Sequence, residues 1–333
     1  MDFHAEFFPK VFPVKISHRN RLLLVGSCFT EQIGNKLSQH KFTLMDNPNG
    51  ILFNPVSISN AVISYATGKM YSEEDLFYYN ELWGSWHHHT KFSNIDKSKA
   101  LHAINDSQQK ANEFIKETDW ILLTLGSAFI YENAVTEQEG DLKNVVANCH
   151  KVPADKFNRR LLDTVEIKNV LTAMIKQVKK INPAVNFIFT VSPVRHLREG
   201  FIENNRSKAA LIQAVHSLVN DIDIFYFPAY ELVIDDLRDY RFYAEDMAHP
   251  NYAATNYVWE KFITTCIDEP SQQLMKDISV IVAARNHKPF NPESEQHKKF
   301  LQTNLEHIKR INERYPYVNF EKEAAFFTES QSL

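Results

Sequence analysis

The stretch RLLLVGSCFT, residues 21–30, joins a short apolar run to a turn of small residues. An uninterrupted apolar run that ends at a glycine is typical of a strand buried on both faces of a sheet. The apolar spacing of the residues that follow favours a helix over residues 30–40, with Thr30 as its N-cap. The stretch therefore predicts a strand, a tight turn that contains Ser27 and Cys28, and a helix.

Three later segments repeat this pattern of a short apolar run that ends in a small residue or a proline. They cover residues 120–125, 187–191 and 224–227. Helical stretches lie over residues 97–116, 158–180 and 204–218, and each is long enough to connect two parallel strands by a right-handed crossover. Alternating strands and helices of this kind predict an α/β fold with a central parallel sheet.

Two segments interrupt the alternation. Residues 76–92 contain aromatic residues that alternate with polar ones, which predicts an inserted β-hairpin, and residues 130–152 form a second insertion. After Pro270 the pattern changes to two helical stretches, residues 274–284 and 297–314. We therefore expect two parts, a main domain over residues 1–269 and a C-terminal helical extension over residues 270–333.

Charge and composition exclude some classes of partner. The chain has 37 Lys and Arg against 41 Asp and Glu, so neither nucleic acid nor a membrane is an expected partner. Three widely spaced cysteines, Cys28, Cys149 and Cys266, make a poor disulfide framework and suit a reducing compartment. The acidic start lacks the basic residues of a signal peptide, and no apolar stretch approaches the roughly 18 residues of a membrane span. A cytoplasmic protein is therefore expected.

Ser27 is the first candidate for chemistry. Ligands of open parallel sheets bind outside the carboxyl ends of the strands, and the turn places Ser27 there, beside helix N-terminal amides suited to an oxyanion. Taken alone, a serine in such a turn is more often a helix cap. A second element, Asp246-Met-Ala-His249, follows the last strand and brings a carboxylate within reach of an imidazole. Such a pair activates a serine, because the imidazole accepts the hydroxyl proton and the carboxylate orients the imidazole.

Short motifs distributed over residues 20–265 resemble those of one protein family. They are Gly26-Ser-Cys-Phe-Thr30 with Ile33-Gly34, Asn47-Pro-Asn-Gly50 with Phe53-Asn-Pro55, Thr124-Leu-Gly126, Ser192-Pro-Val-Arg-His196, and Tyr240-Arg-Phe-Tyr243 with Asp246 to Pro250. In this order they resemble the GSCFA family, a branch of the SGNH/GDSL hydrolase-like proteins. The resemblance implies a flavodoxin-like, three-layer α/β/α hydrolase.

The resemblance also implies roles for individual residues. Ser27 is the expected nucleophile, His249 its base, and Asp246 the carboxylate that orients the base. The oxyanion hole of the wider superfamily combines the amide of the nucleophile, a glycine after the second strand and an asparagine of a Gly-x-Asn motif after the third. The oxyanion candidates in this chain are Ser27, Cys28, Gly50, Gly126 and Ser127.

The motif at Gly126 departs from the superfamily pattern, because the chain reads Gly126-Ser-Ala128 where Gly-x-Asn is expected. Removal of one oxyanion donor costs on the order of 3 kcal/mol in hydrolases of this kind. Three alternatives follow. The Ser127 hydroxyl substitutes for the missing amide, another asparagine such as Asn54 reaches the site, or catalysis is slow.

Further side chains near the expected site have more than one interpretation. Cys28 is intrinsically more nucleophilic than serine, so a thiol mechanism is an alternative. The run His87-His88-His89 suggests a metal or a cleft rim, but neighbouring strand residues face opposite sides and do not converge on one ion, so no metal site is expected. Arg195 leads the candidates for an acyl or carboxylate contact, because its planar fork suits an anionic group. The candidate substrate-binding residues are Asn54, His150, Arg195 and His196.

These features predict a serine esterase that acts through an acyl-enzyme on a small-molecule or glycan ester. One alternative is an acyltransferase that passes the acyl group to a glycan when water is excluded. Another is a ligand-binding protein that keeps the pocket but has lost hydrolysis, which the missing asparagine would favour. No glycine-rich nucleotide loop occurs, so no cofactor is expected. The sequence leaves the natural substrate and the oligomeric state open.

Overall fold

The computed structural model describes residues 4–134 and 142–329. Its strands are β1 (Arg21–Gly26), β2 (Thr43–Asp46), β3 (Phe77–Tyr79), β4 (Leu82–Gly84), β5 (Trp120–Leu125), β6 (Phe129–Asn133), β7 (Phe157–Leu161), β8 (Asn186–Val191) and β9 (Ile224–Tyr226). Its helices are α1 (Cys28–Gln39), α2 (Pro55–Thr67), α3 (Lys97–Lys116), α4 (Thr164–Ile181), α5 (Phe201–His216), α6 (Ala229–Glu231), α7 (Tyr252–Cys266), α8 (Glu269–Asn286), α9 (Glu295–Arg314) and α10 (Glu321–Glu329).

The central sheet contains five parallel strands in the order β2-β1-β5-β8-β9. This is the flavodoxin-like order of doubly wound sheets. Because successive strand residues face opposite sides, Leu23 and Val25 pack in the hydrophobic cluster of α2, α4 and α5. Leu22 and Leu24 pack in the cluster of α1 and α7 on the other face. The predicted three-layer α/β/α fold with a central parallel sheet is confirmed.

Helix α1 begins two residues earlier than the sequence predicts. Ser27 occupies the N-cap position with extended backbone angles, φ −72° and ψ 176°. Thr30 lies inside the helix, where its amide donates to the Ser27 carbonyl at 2.8 Å and its side chain is 2% exposed. The assignment of Thr30 as the N-cap was therefore wrong, because the chain turns into the helix directly after the strand.

The predicted helix over residues 158–180 was wrong at its start. Residues 157–161 instead form β7, which pairs antiparallel with β6. A capping box between Asp163 and Glu166 then starts α4 at Thr164. The hairpin of β3 and β4 lies within the first predicted insertion. The β6–β7 hairpin takes up much of the second, of which residues 135–141 lie outside the described residues.

The three last helices surround a hydrophobic cluster of their own, which includes Leu301 and Phe327. Glu323 on α10 is 2% exposed and forms ion pairs with Lys41 of the main domain at 2.7 Å and with Arg285 of α8 at 3.2 Å. The Lys41 pair connects the C-terminal helices to the main domain, whereas the Arg285 pair joins α10 to α8. We propose a division of the chain at residue 270. In the described ranges, no helix combines the length and the apolar character that a bilayer crossing requires.

Candidate active site

Ser27 directly follows the carboxyl end of β1, the second of the five strands in the order of the sheet. The residue is 1% exposed, and its Oγ has no hydrogen-bond partner among the described residues. Its side chain makes no capping hydrogen bond to α1, although it occupies the N-cap position. The hydroxyl therefore does not act as a helix cap, which was the structural alternative to a nucleophile.

A close approach between β1 and β5 shapes the turn that carries Ser27. A Cβ atom on Gly26 would lie 2.3 Å from the Thr124 carbonyl oxygen, and the glycine has φ +153°. The Gly26 amide donates to Asn47 Oδ1 at 2.8 Å, which ties the turn to the loop after β2. Glycine is therefore required at this position for steric reasons, and Asn47 holds the turn in place.

Asp246 and His249 form a hydrogen-bonded pair at the same edge of the sheet. His249 Nδ1 lies 2.6 Å from Asp246 Oδ2, and both side chains are about half exposed, at 45% and 51%. The backbone amides of His249 and Ala248 donate to Asp246 Oδ1, each at 3.0 Å. These amides, together with the imidazole, lower the pKa of Asp246 to about 2. The carboxylate therefore stays ionised and orients the imidazole with Nε2 facing away from it.

The loop that carries this pair is joined to the end of β8. The Arg195 amide donates to the Ala248 carbonyl at 3.0 Å, and the Ala244 amide donates to the His249 carbonyl at 2.8 Å. Ser27 Oγ has no partner, so the serine and the imidazole are not hydrogen-bonded in this structure. Catalytic hydrogen bonds are often long without substrate, and here a shift of Ser27 or of the loop must close the gap.

Four of the candidate oxyanion amides are already hydrogen-bonded to backbone carbonyls. Ser27 N–H donates to Thr124 O at 3.2 Å, Gly50 N–H to Asn47 O at 2.7 Å, and Gly126 N–H and Ser127 N–H to Phe53 O at 2.8 Å and 3.0 Å. Cys28 N–H, at the first position of α1, donates to no backbone carbonyl among the described residues. Cys28 is thus the one candidate of the five whose amide remains free for an oxyanion.

The Ser127 hydroxyl is also engaged. It accepts a hydrogen bond from the Phe129 amide at 3.1 Å and lies 3.3 Å from Ser207 Oγ. These contacts fix the start of β6 instead of leaving the hydroxyl free for a substrate oxygen. The alternative in which Ser127 replaces the missing asparagine therefore needs a rearrangement.

A cavity of about 280 Å³ opens beside this edge of the sheet. It is lined by Phe53, Asn54, Ser127, Phe129, Tyr131, Val146, Ala147, Asn148, Cys149, His196 and Arg198. Two of the predicted substrate-binding residues, Asn54 and His196, thus line one cavity. Asn54 Oδ1 caps α2 by accepting from the Ser57 amide at 2.8 Å, which fixes the orientation of its side-chain amide.

The other two predicted substrate contacts have different surroundings. His150 lies in the β3–β4 region, where Nε2 is 2.9 Å from the Ser85 carbonyl oxygen and the ring packs edge-on against Phe77 and Trp86. These contacts hold the His150 ring in place, and its contact with substrate stays a prediction. Its neighbour Cys149 lines the cavity. The Arg195 guanidinium lies 4.0 Å from the ring centre of Tyr243, so its contact with substrate stays a prediction.

Lys208 is a site residue that the sequence analysis missed. It is 1% exposed, and its Nζ donates to the carbonyls of Gly126 and Ser192, both at 2.7 Å. Burial lowers its pKa to about 7. Lys208 therefore joins the carboxyl ends of β5 and β8. Its spacing to Leu211 and Val215 places it on the apolar face of α5, and a charged residue on that face is the signal that could have revealed it.

The structure gives little support to a thiol nucleophile at Cys28 or to a metal site at His87-His88-His89. Burial raises the pKa of the Cys28 thiol, which disfavours the reactive thiolate. His88 is buried with Nδ1 3.0 Å from Ser85 Oγ, whereas His89 Nδ1 accepts from the Lys91 amide. The histidine run thus engages separate partners. Within residues 4–134 and 142–329, no group of three or more His, Cys, Asp or Glu residues could hold a metal ion.

Comparison with known proteins finds two matching family models and several solved structures of low similarity. The model of the GSCFA family matches residues 21–262, and the model of the GSCFA domain protein, C-terminal domain, matches residues 278–330. A comparison with curated proteins finds no match.

Among solved structures, the chain is similar to a carbohydrate esterase family 3 from Talaromyces cellulolyticus, with a TM-score of 0.36 and 10% identity over 78% of this chain and 99% of that one. It is also similar to a Clostridium thermocellum family 3 carbohydrate esterase, with a TM-score of 0.32 and 10% identity over 79% and 100% of the two chains. An acetyl xylan esterase from the rumen bacterium Butyrivibrio proteoclasticus has a TM-score of 0.35 and 11% identity, over 75% and 63% of the two chains.

Proposed function

This chain belongs to the GSCFA family, and from that premise we propose that it is a serine hydrolase that cleaves carboxylic esters. The observation that carries the proposal is the hydrogen-bonded Asp246–His249 pair at the sheet edge where β1 delivers Ser27. Open parallel sheets place their reactive groups at this edge. A serine with neither a capping bond nor another partner is available to an imidazole.

In the proposed reaction, Ser27 Oγ attacks the ester carbonyl carbon while its proton passes to His249 Nε2. Asp246 stabilises the imidazolium that forms. The tetrahedral intermediate then collapses, the proton passes from His249 to the leaving alcohol, and an acyl-enzyme remains. Water, deprotonated by His249, releases the carboxylic acid and restores the serine.

The substrate is proposed to be a small-molecule or glycan ester. The cavity of about 280 Å³ has aromatic walls and the side-chain amides of Asn54 and Asn148, which suit an ester with a polar alcohol part. Transfer of the acyl group to a sugar hydroxyl uses the same steps with a different acceptor. Release of acid into water, measured against ester formation on added sugars, separates hydrolysis from transfer.

The test compares short-chain aryl ester hydrolysis by the wild type and by Ser27→Ala. We expect kcat/KM to fall by at least about 10³-fold, because the attacking atom is removed. Ser59→Ala is a matched control, because Ser59 is also buried with an unpartnered hydroxyl but lies on α2. Equal activity of wild type and Ser27→Ala would refute the proposal. Loss of activity in Cys28→Ala but not in Ser27→Ala would identify the Cys28 thiol as the nucleophile.

A second candidate function is binding of an ester without turnover. The burial of Ser27 and the absence of a Ser27–His249 hydrogen bond favour it. In that case no aryl ester is hydrolysed and no fluorophosphonate reacts, but an acylated sugar raises the melting temperature of the purified protein. Turnover at Ser27 would exclude this candidate.

A further inference from the structure

Few donors at the proposed site are free to stabilise an oxyanion. The amides of Ser27, Gly50, Gly126 and Ser127 all donate to backbone carbonyls, which leaves the Cys28 amide from the original set. One amide alone makes a weak oxyanion hole, because such sites combine two or more donors. A second donor is therefore needed.

Three buried side-chain nitrogens around the site have no hydrogen-bond partner in the described part of the chain, Asn47 Nδ2, Arg195 Nη1 and His196 Nε2. The Arg195 guanidinium packs on the ring of Tyr243 and is absent from the lining of the cavity. Asn47 lies on the β2 side and is absent from the lining of the cavity. His196 lines the cavity together with Asn54. A buried nitrogen without a partner is costly, typically by about 1–3 kcal/mol, so a ligand atom that accepts from it would recover that energy.

His196 Nε2 is directed at the segment that faces the nucleophile turn. It lies 3.3 Å from the position that a Cβ atom on Gly126 would occupy. Gly126 comes directly after β5, two residues beyond Thr124, whose carbonyl accepts a hydrogen bond from the Ser27 amide. The imidazole also packs edge-on against Phe53, with ring centres 5.6 Å apart. These contacts fix the ring beside the turn and keep water away from Nε2.

The imidazole of His196 is uncharged and can act as a neutral hydrogen-bond donor. Burial lowers the pKa of the ring to about 3, and repulsion by Lys208 and His249 in their protonated forms acts in the same direction. The ring is therefore neutral at physiological pH and carries a single N–H. The nearby Gly126 carbonyl favours the proton on Nε2, but it already accepts from Lys208 and makes no hydrogen bond with the imidazole.

We propose that His196 Nε2–H donates a hydrogen bond to the oxyanion of the tetrahedral intermediate, in place of the asparagine that is missing after β5. The inference rests on the proposed ester hydrolysis at Ser27. His196 is then a catalytic residue, because its N–H contacts the reacting oxygen. As the carbonyl carbon becomes tetrahedral, its oxygen gains negative charge and moves into contact with Nε2–H and with Cys28 N–H. Neither donor gains or loses a proton.

Three substitutions at position 196 test this role. His196→Gln keeps an N–H near the Nε2 position, His196→Asn shortens the side chain, and His196→Leu removes the donor. We expect kcat of His196→Gln to stay within about tenfold of wild type, and kcat of the other two to fall about 100-fold to 1,000-fold with KM nearly unchanged. Unchanged kcat in His196→Leu would overturn the proposal. Equal losses in all three variants would also overturn it, since that result indicates a proton acceptor.

A measurement on the wild type avoids any dependence on how the variants fold. Reaction of Ser27 with a fluorophosphonate places a phosphonyl oxygen where the oxyanion forms. We expect the Nε2 proton resonance of His196, assigned by its absence in His196→Gln, to move downfield in the adduct. An unchanged resonance in a protein labelled at Ser27 would reject the His196 role alone. Failure of Ser27 to react would reject the proposed function itself.

Discussion

Replacement of Lys208 by methionine tests the charge of a buried amine. Burial lowers the pKa of Lys208 from 10.5 to about 7, so between these values the folded protein keeps the amine neutral while the unfolded chain protonates it. Because the unfolded state then binds more protons, the free energy of unfolding of the wild type rises with pH across this window. The rise is about 1.4 kcal/mol per pH unit within this window, and the whole effect is on the order of 5 kcal/mol.

Methionine keeps a comparable length but has no titrating group, so Lys208→Met lacks this pH dependence. It also leaves the carbonyls of Gly126 and Ser192 without their donor, a loss of about 1–3 kcal/mol each that does not vary with pH. Urea unfolding of both proteins at pH 7, 8 and 9 separates the two effects. We expect the stability difference between them to grow by about 2 kcal/mol in favour of the wild type from pH 7 to pH 9. A constant difference would refute the reasoning.

Three further substitutions have defined outcomes. Gly50→Ala places a Cβ atom 2.3 Å from His89 Cβ. Gly200→Ala is the control, because its Cβ atom meets nothing within 4 Å and its φ is similar. Thermal unfolding should show Gly50→Ala about 1–3 kcal/mol less stable than Gly200→Ala. Equal losses would contradict the proposed contact. Glu323→Gln removes a buried charge from two ion pairs and should cost about 3 kcal/mol in urea unfolding, with a loss below about 0.5 kcal/mol as the opposing result. Asp246→Asn should lower kcat by about 10²-fold to 10⁴-fold, and wild-type kcat would remove Asp246 from the proposed mechanism.

The sequence predicts the central sheet well because its inner strands are short, mostly apolar runs. β1, β5 and β8 each end where a glycine, or a serine followed by a proline, stops the run, and residues on both of their faces are buried. β2 was missed because this edge strand has four residues and mixed polarity. β7 was mistaken for helix because it pairs outside the main sheet, and two of its five residues are exposed. Strands at edges carry less of the apolar pattern from which burial is predicted.

In the candidate site, too, contacts between residues close in sequence are predictable, whereas contacts between distant residues are not. The Asp246–His249 pair is predictable because the two side chains are three positions apart and meet within one turn. Lys208 bonds to carbonyls 16 and 82 positions away, so its role depends on the packing of α5 against the sheet. The hydrogen bond from the Gly50 amide to the Asn47 carbonyl is not predictable from the motif either, because it depends on the backbone conformation of the loop.

The most direct test is to identify the residue that reacts with a fluorophosphonate. The wild-type protein is treated with the reagent, digested, and analysed by mass spectrometry to locate the adduct. We expect a single adduct on the peptide that contains Ser27, with no adduct in Ser27→Ala. An adduct that persists unchanged in Ser27→Ala, or ester hydrolysis by a wild type that never reacts at Ser27, would contradict the assignment of Ser27 as the nucleophile.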